Sequence, residues 1–375
     1  MEVIGLIAEY NPFHNGHLYQ IKEIKKRYPD SLIVLVLNGY FLERGIVSLE
    51  SKREKTHLAL KYGVDIVIEL PFVFGSNSAD IFAEASLELL NAMKVDKLIF
   101  GSESDNVDLL KTIAKKQLEP NFDKYVKKYL DQGINYPTAL NKAIGIDLND
   151  PNDLLGVSYI KAILKNNYGI EPETIKRTSG YHDVESDEKI VSASNIREKL
   201  NNNMSVSKYI PEGTINKIDD DLLFSLLKYK ITTEDNLDKY LSVDEGIDNR
   251  LKKVINNVHS LDELVNKVKT KRYTYNRIMR MLTHILIGIT KEDKAKLISN
   301  EYIRILGLND IGQRHINRIK KDLNIPLVSR FTTLDSKIKD YELKCASIYQ
   351  MLTNDNTLEF EYANKPVKIN IDNNN

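Results

Sequence analysis

The first hundred residues alternate short, almost unbroken apolar runs with amphipathic stretches. The runs Val3–Ala8, Leu32–Leu37, Asp65–Leu70 and Lys97–Phe100 read as strands. None of them alternates in polarity, so each should be buried on both faces, as strands are in a parallel sheet covered by helices. The intervening stretches at about Gly16–Tyr28, Glu50–Tyr62 and Ala79–Met93 carry helical periodicity. This pattern predicts the α/β class, with a doubly wound parallel sheet. From Ser104 to about Gly145 the strand signal lapses, and helices at Asp108–Leu118 and Asn121–Gln132 read as an insertion or cover. A helix at Pro151–Lys165, a short strand at Thr174–Lys176 and a helix start at Ser194–Asn201 follow. Beyond Pro211 amphipathic helices dominate, at Gly213–Lys228, Asp244–Val258, Leu261–Val268 and Tyr275–Ile289. The chain is therefore expected to divide into a sheet domain over 1–205 and a mainly helical domain over 206–375, with a polar, frayed tail at Asp372–Asn375.

Composition narrows the class. The 375 residues are 42% hydrophobic and 28% charged, enough to bury a sizeable core. The 53 Lys and Arg balance 53 Asp and Glu, so any polyanion site must come from local segregation of charge. The single cysteine, Cys345, lies in an apolar-periodic stretch and reads as core packing; one thiol can form neither an internal disulfide nor a cysteine zinc cage. No apolar run approaches the roughly 20 residues of a membrane span, and the N-terminal run lacks a basic leader and breaks at Glu9. A cytoplasmic protein is expected, with no membrane association and no protein partner.

Candidate chemistry begins where the first strand ends. Glu9-Tyr10-Asn11-Pro12-Phe13-His14-Asn15-Gly16-His17 connects that strand to a helix, at the sheet edge where open α/β folds bind ligands. A helix N-terminus there offers free N–H groups to phosphate, and Gly16 leaves room for close approach. His14 and His17, three residues apart, can face one anion. Taken alone, such a pair is more often idle, and two histidines without a third ligand make a metal site weak. A second element, Val191-Ser192-Ala193-Ser194-Asn195-Ile196-Arg197, puts two hydroxyls at a helix start; alone it is merely an N-cap, at Ser192 or Ser194.

The two elements, in this order, resemble those of the HIGH-type nucleotidyltransferases. The blocks Val67–Pro71, Phe100–Glu103, Pro151–Gly156, Arg177–Asp183, Glu245–Arg250 and Lys269–Thr274 further resemble the tRNA(Met) cytidine acetate ligases, over almost the whole chain. That resemblance implies that Ile7, Ala8, Glu9, Tyr10, Asn11, Pro12, Phe13, His14, Asn15, Gly16, His17, Leu18, Tyr19, Gln20, Gly101, Asn152 and Arg177 fall where the family binds ATP. It also implies catalytic roles for His14 and His17 on the reacting phosphate and for Ser194 and Arg197 on the leaving group, with Mg2+ on the β- and γ-phosphates. For Asn152 the competing interpretation is a plain turn or cap residue, and for Arg177 a surface ion pair. The implied reaction joins acetate to the exocyclic amine of the wobble cytidine of elongator tRNA(Met), through acetyl-adenylate, giving N(4)-acetylcytidine, AMP and pyrophosphate. One loop departs from the family: Asn38-Gly39-Tyr40-Phe41-Leu42-Glu43-Arg44-Gly45-Ile46-Val47 stands where members carry Ser-Gly-Asn-Phe and then Arg-Gly-Glu-Pro, so only Arg44 and Gly45 of the second string are kept.

Residues 269–280 hold the cations Lys269, Lys271, Arg272, Arg277 and Arg280 with no acid, and Tyr273 and Tyr275 among them offer stacking faces. This is an RNA-binding pattern, although a solvated helix face produces the same composition. Two other readings stand beside the ligase: a nucleotidyltransferase acting on a small phosphorylated cofactor precursor, and a non-catalytic RNA-binding protein.

Overall fold

The computed structural model describes all residues except 135, 178–189, 271, 329 and 371–375. The chain opens with β1 (Val3–Ala8), α1 (Asn15–Arg27), β2 (Leu32–Asn38), α2 (Lys52–Lys61), β3 (Ile66–Leu70), the single turn α3 (Phe72–Gly75), α4 (Ala79–Ala92) and β4 (Lys97–Ser102). Helices α5 (Val107–Gln117), α6 (Phe122–Leu130), α7 (Tyr136–Ile144) and α8 (Pro151–Lys165) precede β5 (Glu171–Lys176) and α9 (Ala193–Asn201). A helical stretch follows: α10 (Asp220–Thr233), α11 (Ile247–Val254), α12 (Leu261–Val268), α13 (Tyr275–Ile287) and α14 (Lys291–Lys296). The chain ends with β6 (Ile305–Leu308), α15 (Asp310–Ile319), α16 (Lys337–Thr353), α17 (Thr357–Tyr362) and β7 (Val367–Lys368).

The sheet runs β5-β4-β1-β2-β3-β6-β7, with β1 to β5 mutually parallel and β6 antiparallel to β3. Its strands pack both ways, as their unbroken apolar runs predict. Ile33, Leu35 and Leu37 of β2 share a core with Ile21 and Ile24 of α1 and Leu58 of α2. Leu32, Val34 and Val36 share another with Phe82 and Leu89 of α4 and Ile160 of α8. The sequence β1-α1-β2-α2-β3 winds one way and β4 returns to the other side of β1, so β1 lies at the switch point.

The region after residue 205 differs from its expectation. Residues of α10 to α13, among them Leu227, Leu251, Val265 and Leu282, do form a helical unit with its own core. From Ile305, however, the chain rejoins the sheet, and Cys345 and Tyr349 of α16 belong to the sheet core. The helical region therefore does not run unbroken to the C-terminus; a four-residue antiparallel strand is too short for periodicity to announce. The first helix of the unit also starts late, at Asp220 rather than Gly213, because the Asp219 carboxylate caps it by accepting the Leu222 N–H at 2.9 Å.

A fully buried charge centre fastens the return. Lys52 of α2 pairs with Glu69 of β3, with Glu342 of α16 at 3.0 Å and with Glu361 of α17 at 3.0 Å. Arg304, just before β6, pairs with Glu361 and lies 3.2 Å from Glu69, while the Tyr40 hydroxyl donates to Glu361 at 2.7 Å. Burial pushes the Glu342 carboxyl up to about 7 against the pull of Lys52.

Candidate active site

His14 occupies the N-cap of α1 in extended conformation. Its Nδ1 accepts the Gly16 N–H at 3.0 Å, and His17 Nδ1 accepts the His14 N–H at 3.2 Å. The two imidazoles thus perform the reciprocal capping that Ser and Glu side chains usually supply. Their rings stack with centroids 3.8 Å apart, and a Cβ on Gly16 would lie 2.7 Å from His14 Cε1, so the stack requires glycine there. With both Nδ1 atoms accepting, the ring proton of each histidine sits on Nε2. Burial, reinforced by Arg177 and Arg197, holds His14 down at about 3. Burial, then His14 and Arg177, holds His17 well below the usual range. The pair therefore meets an anion as neutral N–H donors, and the positive charge comes from the arginines.

The second element closes the same space. Ser192 caps α9 by accepting the Asn195 N–H at 3.2 Å. One turn on, Arg197 donates to Ser194 Oγ at 2.9 Å and to the Asn11 carbonyl at 2.9 Å, fixing the start of α9 to the loop after β1. Between the two elements lies a cavity of about 240 Å³, walled in part by His14, His17, Arg177, Ser194 and Arg197. A recess of about 50 Å³ adjoins it beside Gly16, Gln20 and Gly101.

Gly101 and Arg177 reach the cavity from adjacent strand ends, and the Arg177 N–H donates to the Ser102 carbonyl at 3.0 Å. Asn152, in the first turn of α8, donates to Glu103 Oε1 at 2.5 Å, and that oxygen lies 3.5 Å from Arg177 Nε. Glu103 Oε2 accepts the Asp153 N–H at 3.1 Å, while buried Asp153 accepts from Ser102 Oγ at 2.5 Å and from the Ser104 N–H at 3.0 Å. One carboxylate thus orients two of the expected nucleotide residues. Glu103 and Asp153 went unassigned in the sequence, although each lies in a block that carried the resemblance.

With this geometry in place the comparisons with known proteins can be read. The sequence model of the family HIGH Nucleotidyl Transferase matches residues 1–364. A tRNA(Met) cytidine acetate ligase of Geobacillus sp. (strain WCH70) is 38% identical, spanning 98% of this chain and 100% of the relative. The enzyme of that name from Bacillus subtilis (strain 168) is 34% identical, spanning 99% and 98%. The chain belongs to the tRNA(Met) cytidine acetate ligase family of HIGH nucleotidyl transferases. Among solved structures, Thermotoga maritima TmcAL in its apo form I has a TM-score of 0.88 at 26% identity, covering 99% of this chain and 100% of that one. The same protein bound with alpha-thio ATP has a TM-score of 0.85.

Within this family member, the other expected nucleotide residues divide by position. Ile7, Ala8, Glu9, Tyr10, Asn11 and Gln20 wall the cavity, and Gly16 and Tyr19 border the recess. Pro12, Phe13, Asn15 and Leu18 line neither. Phe13 is buried and stacks on Tyr62 with centroids 5.5 Å apart, Asn15 donates to the Lys208 carbonyl at 3.0 Å, and Leu18 packs on the core. These residues brace the loop. So does buried Lys55, whose Nζ donates to the carbonyls of Glu9 at 3.0 Å and of Asn38 and Gly39 at 2.7 Å each, using all three hydrogens of an ammonium. The sequence signal for Lys55 was a lysine, like Lys52 one turn earlier, on the apolar face of a helix that packs on the sheet.

The basic strip is partly consumed by the fold. Lys269 and Arg272 are exposed, Arg272 lies 3.4 Å from Glu245, and Lys271 lies outside the described residues. Tyr273 is a correction: it is buried, its hydroxyl donates to the Asp244 carbonyl at 2.7 Å, and the Arg277 guanidinium covers its ring at 4.1 Å. Arg277 covers one ring face, and the ring anchors the loop between α12 and α13. Arg280 is a second correction, since its guanidinium turns to Glu43 at 2.7 Å and joins α13 to the loop after β2.

Among the described residues no group of three or more His, Cys, Asp or Glu could hold a metal ion. No described helix is long and apolar enough to cross a membrane.

Proposed function

We propose that this protein ligates acetate to the wobble cytidine of elongator tRNA(Met) at the expense of ATP. An acetate oxygen bonds to the α-phosphorus, the bond to pyrophosphate breaks, and acetyl-adenylate remains. The exocyclic amine of cytidine then bonds to the acetyl carbon, AMP departs with the bridging oxygen, and one proton is released to solvent. The observation that carries this reading is the pair of imidazoles with Nδ1 occupied by backbone N–H, set in one cavity wall with Arg177 and Arg197. Preorganised neutral donors and fixed guanidiniums suit a phosphorus centre whose negative charge grows during displacement. Ser194 and Arg197, at the start of α9, suit the departing pyrophosphate. In this reading Mg2+ would accompany the β- and γ-phosphates of ATP and offset their charge. Family membership and the relative bound with alpha-thio ATP support the nucleotide half, and the curated relatives' names support the acceptor. In this reading Lys269, Lys271, Arg272 and Arg277 carry the RNA backbone and the protein works in the cytoplasm.

Mass spectrometry of nucleosides from tRNA incubated with protein, ATP and acetate tests it. N(4)-acetylcytidine together with acetate-dependent pyrophosphate release is the expected result. Pyrophosphate release that needs a small phosphorylated acceptor instead of acetate would favour the cofactor-precursor transferase, and tRNA binding without pyrophosphate release the non-catalytic protein.

A further inference from the structure

The cavity straddles β1, and the nucleotide reading accounts for only one side of it. Gly101, Asn152 and Arg177 belong to the β4 and β5 side. A second, aromatic and acidic half of the wall is made by Glu9, by Glu43 and Ile46 of the loop after β2, by Phe82 of α4, and by Phe100 of β4 and Tyr159 of α8, which share their elements with Gly101 and Asn152. No residue of this second half except Glu9 has a role in the nucleotide reading.

Its chemistry differs from that of the phosphate end. Phe82, Phe100 and Tyr159 are buried rings, with Phe100 and Tyr159 edge to face at 5.7 Å. Glu9 Oε1 accepts from Asn38 Nδ2 at 2.9 Å and from the Glu43 N–H at 2.7 Å, which draws the two acidic residues to one place. Burial, with the charges of Glu9 and Glu43, keeps the Tyr159 hydroxyl un-ionised, far above its ordinary range. Flat apolar walls suit an aromatic ring, and carboxylate oxygens suit an N–H donor. A small anion finds the opposite: Arg44 lines the space, but so does the Glu9 carboxylate, and the Glu43 carboxylate already engages Arg280 at 2.7 Å.

The loop that closes this half is held by the helical unit. Gly45 has φ +72°, and any side chain there would collide with the backbone of Met279 and Arg280. Its carbonyl accepts from Thr283 Oγ1 at 2.8 Å, and Arg280 pairs with Glu43 at 2.7 Å. Helix α13 starts at Tyr275, within the basic strip, and Arg280 lies about 8 Å along the axis from its first residue. A strand held at Arg277 would lie one helical turn from the Arg280–Glu43 pair that borders this pocket.

We propose that the aromatic, acidic half of the cavity is the acceptor subsite, where a cytosine turned out of the RNA strand lies against Phe82 and Tyr159 with its exocyclic amine toward Glu9 and Glu43. The assignment rests on the proposed ligase function and adds the location and the residues. Taking a base out of its stack is the general solution for enzymes that modify its edge.

Three readouts test it on the full-length protein: pyrophosphate release from ATP and acetate without RNA, single-turnover acetyl transfer to tRNA, and equilibrium tRNA binding. Phe82→Leu removes a flat face at similar volume, and Ile46→Phe fills the pocket from its partly exposed rim, so the second variant remains informative if the first folds poorly. In both, transfer is expected to fall on the order of 10- to 100-fold, with pyrophosphate release and tRNA binding within about threefold of wild type. Pyrophosphate release falling as far as transfer would hand this half of the cavity to acetate or nucleotide and overturn the assignment. Wild-type transfer in Ile46→Phe would overturn it as well. A wild-type protein that neither releases pyrophosphate with acetate nor acetylates tRNA would defeat the ligase reading itself, and the subsite with it.

Discussion

Helix α2 carries two buried lysines one turn apart, and they serve different places. Lys52 enters the charge centre and Lys55 supports the loops of the nucleotide site. In the charge centre, Lys52 and Arg304 are met by the three carboxylates of Glu69, Glu342 and Glu361, so the cations are spent on one another's partners. At the nucleotide site most anchors are neutral oxygens and backbone N–H groups, Arg197 being held by Ser194 and Asn11, the histidines by Gly16 and His14 and Lys55 by carbonyls, while Arg177 lies beside a carboxylate, that of Glu103 at 3.5 Å. Both places are buried and rich in cations. What separates a strut from a site is which acceptors hold the cations, since a carboxylate cancels the charge that a carbonyl merely aims.

The largest expected effect is on the strut. Lys52→Met leaves three carboxylates facing one arginine out of water and should cost about 3–5 kcal/mol of stability, read from urea unfolding. A loss below about 1 kcal/mol would mean that water or a proton replaces Lys52, and the contrast between the two places would collapse.

His17→Ala addresses the site. Removing one preorganised donor should lower acetate-dependent pyrophosphate release by about 100-fold or more, while the unfolding midpoint moves only as far as a lost cap allows, about 1 kcal/mol. Unchanged release from a folded variant would remove the histidines from the chemistry.

The two places should also respond to pH with opposite sign. His14 is held down at about 3, so between pH 3 and its unfolded value near 6.5 the unfolded chain takes up a proton that the folded one refuses, and this contribution to stability is lost as pH falls. Glu342 is pushed up to about 7, so between its unfolded value near 4.5 and pH 7 the folded chain holds the extra proton, and its contribution is lost as pH rises. Near pH 5, His14→Asn should reduce proton uptake on unfolding by about one, and Glu342→Gln should increase it. Potentiometric or pH-dependent urea titrations read both, and equal signs would refute the assignment of neutral imidazoles.

A smaller effect concerns the link between the sheet and the helical unit. A double-mutant cycle of Glu43→Gln and Arg280→Met should give a coupling energy between about 0.5 and 3 kcal/mol in unfolding experiments. Zero coupling would return Arg280 to the RNA-binding strip. The smallest change belongs to that strip: Lys269→Ala with Arg272→Ala should reduce the log–log salt slope of tRNA binding by about one to two units and leave ATP binding alone. A simultaneous fall in ATP affinity would show that the strip also supports the fold of the site.

The sequence alone determined what lies in local runs. The unbroken apolar strands declared a sheet buried on both faces, Pro151–Lys165 and Leu261–Val268 were legible to the residue, and the two histidines and the Ser-x-Ser-x-x-Arg string became candidates for a phosphate site through their resemblance to one family, while their spacing showed only which groups could face one ligand. Tertiary structure decided what depends on distant pairing. The four residues of β6 become a strand only because β3 offers an edge, and Lys52 and Lys55 look alike until Glu342 and Glu361 arrive nearly 300 residues later. Likewise Arg280 and Tyr273 share a basic strip in sequence, yet one ties α13 to the loop after β2 and the other is buried beneath Arg277. The physical reason is that periodicity records only which face of an element is apolar, whereas a buried charge or ring takes its role from the partner that desolvates it, and that partner comes from elsewhere in the chain.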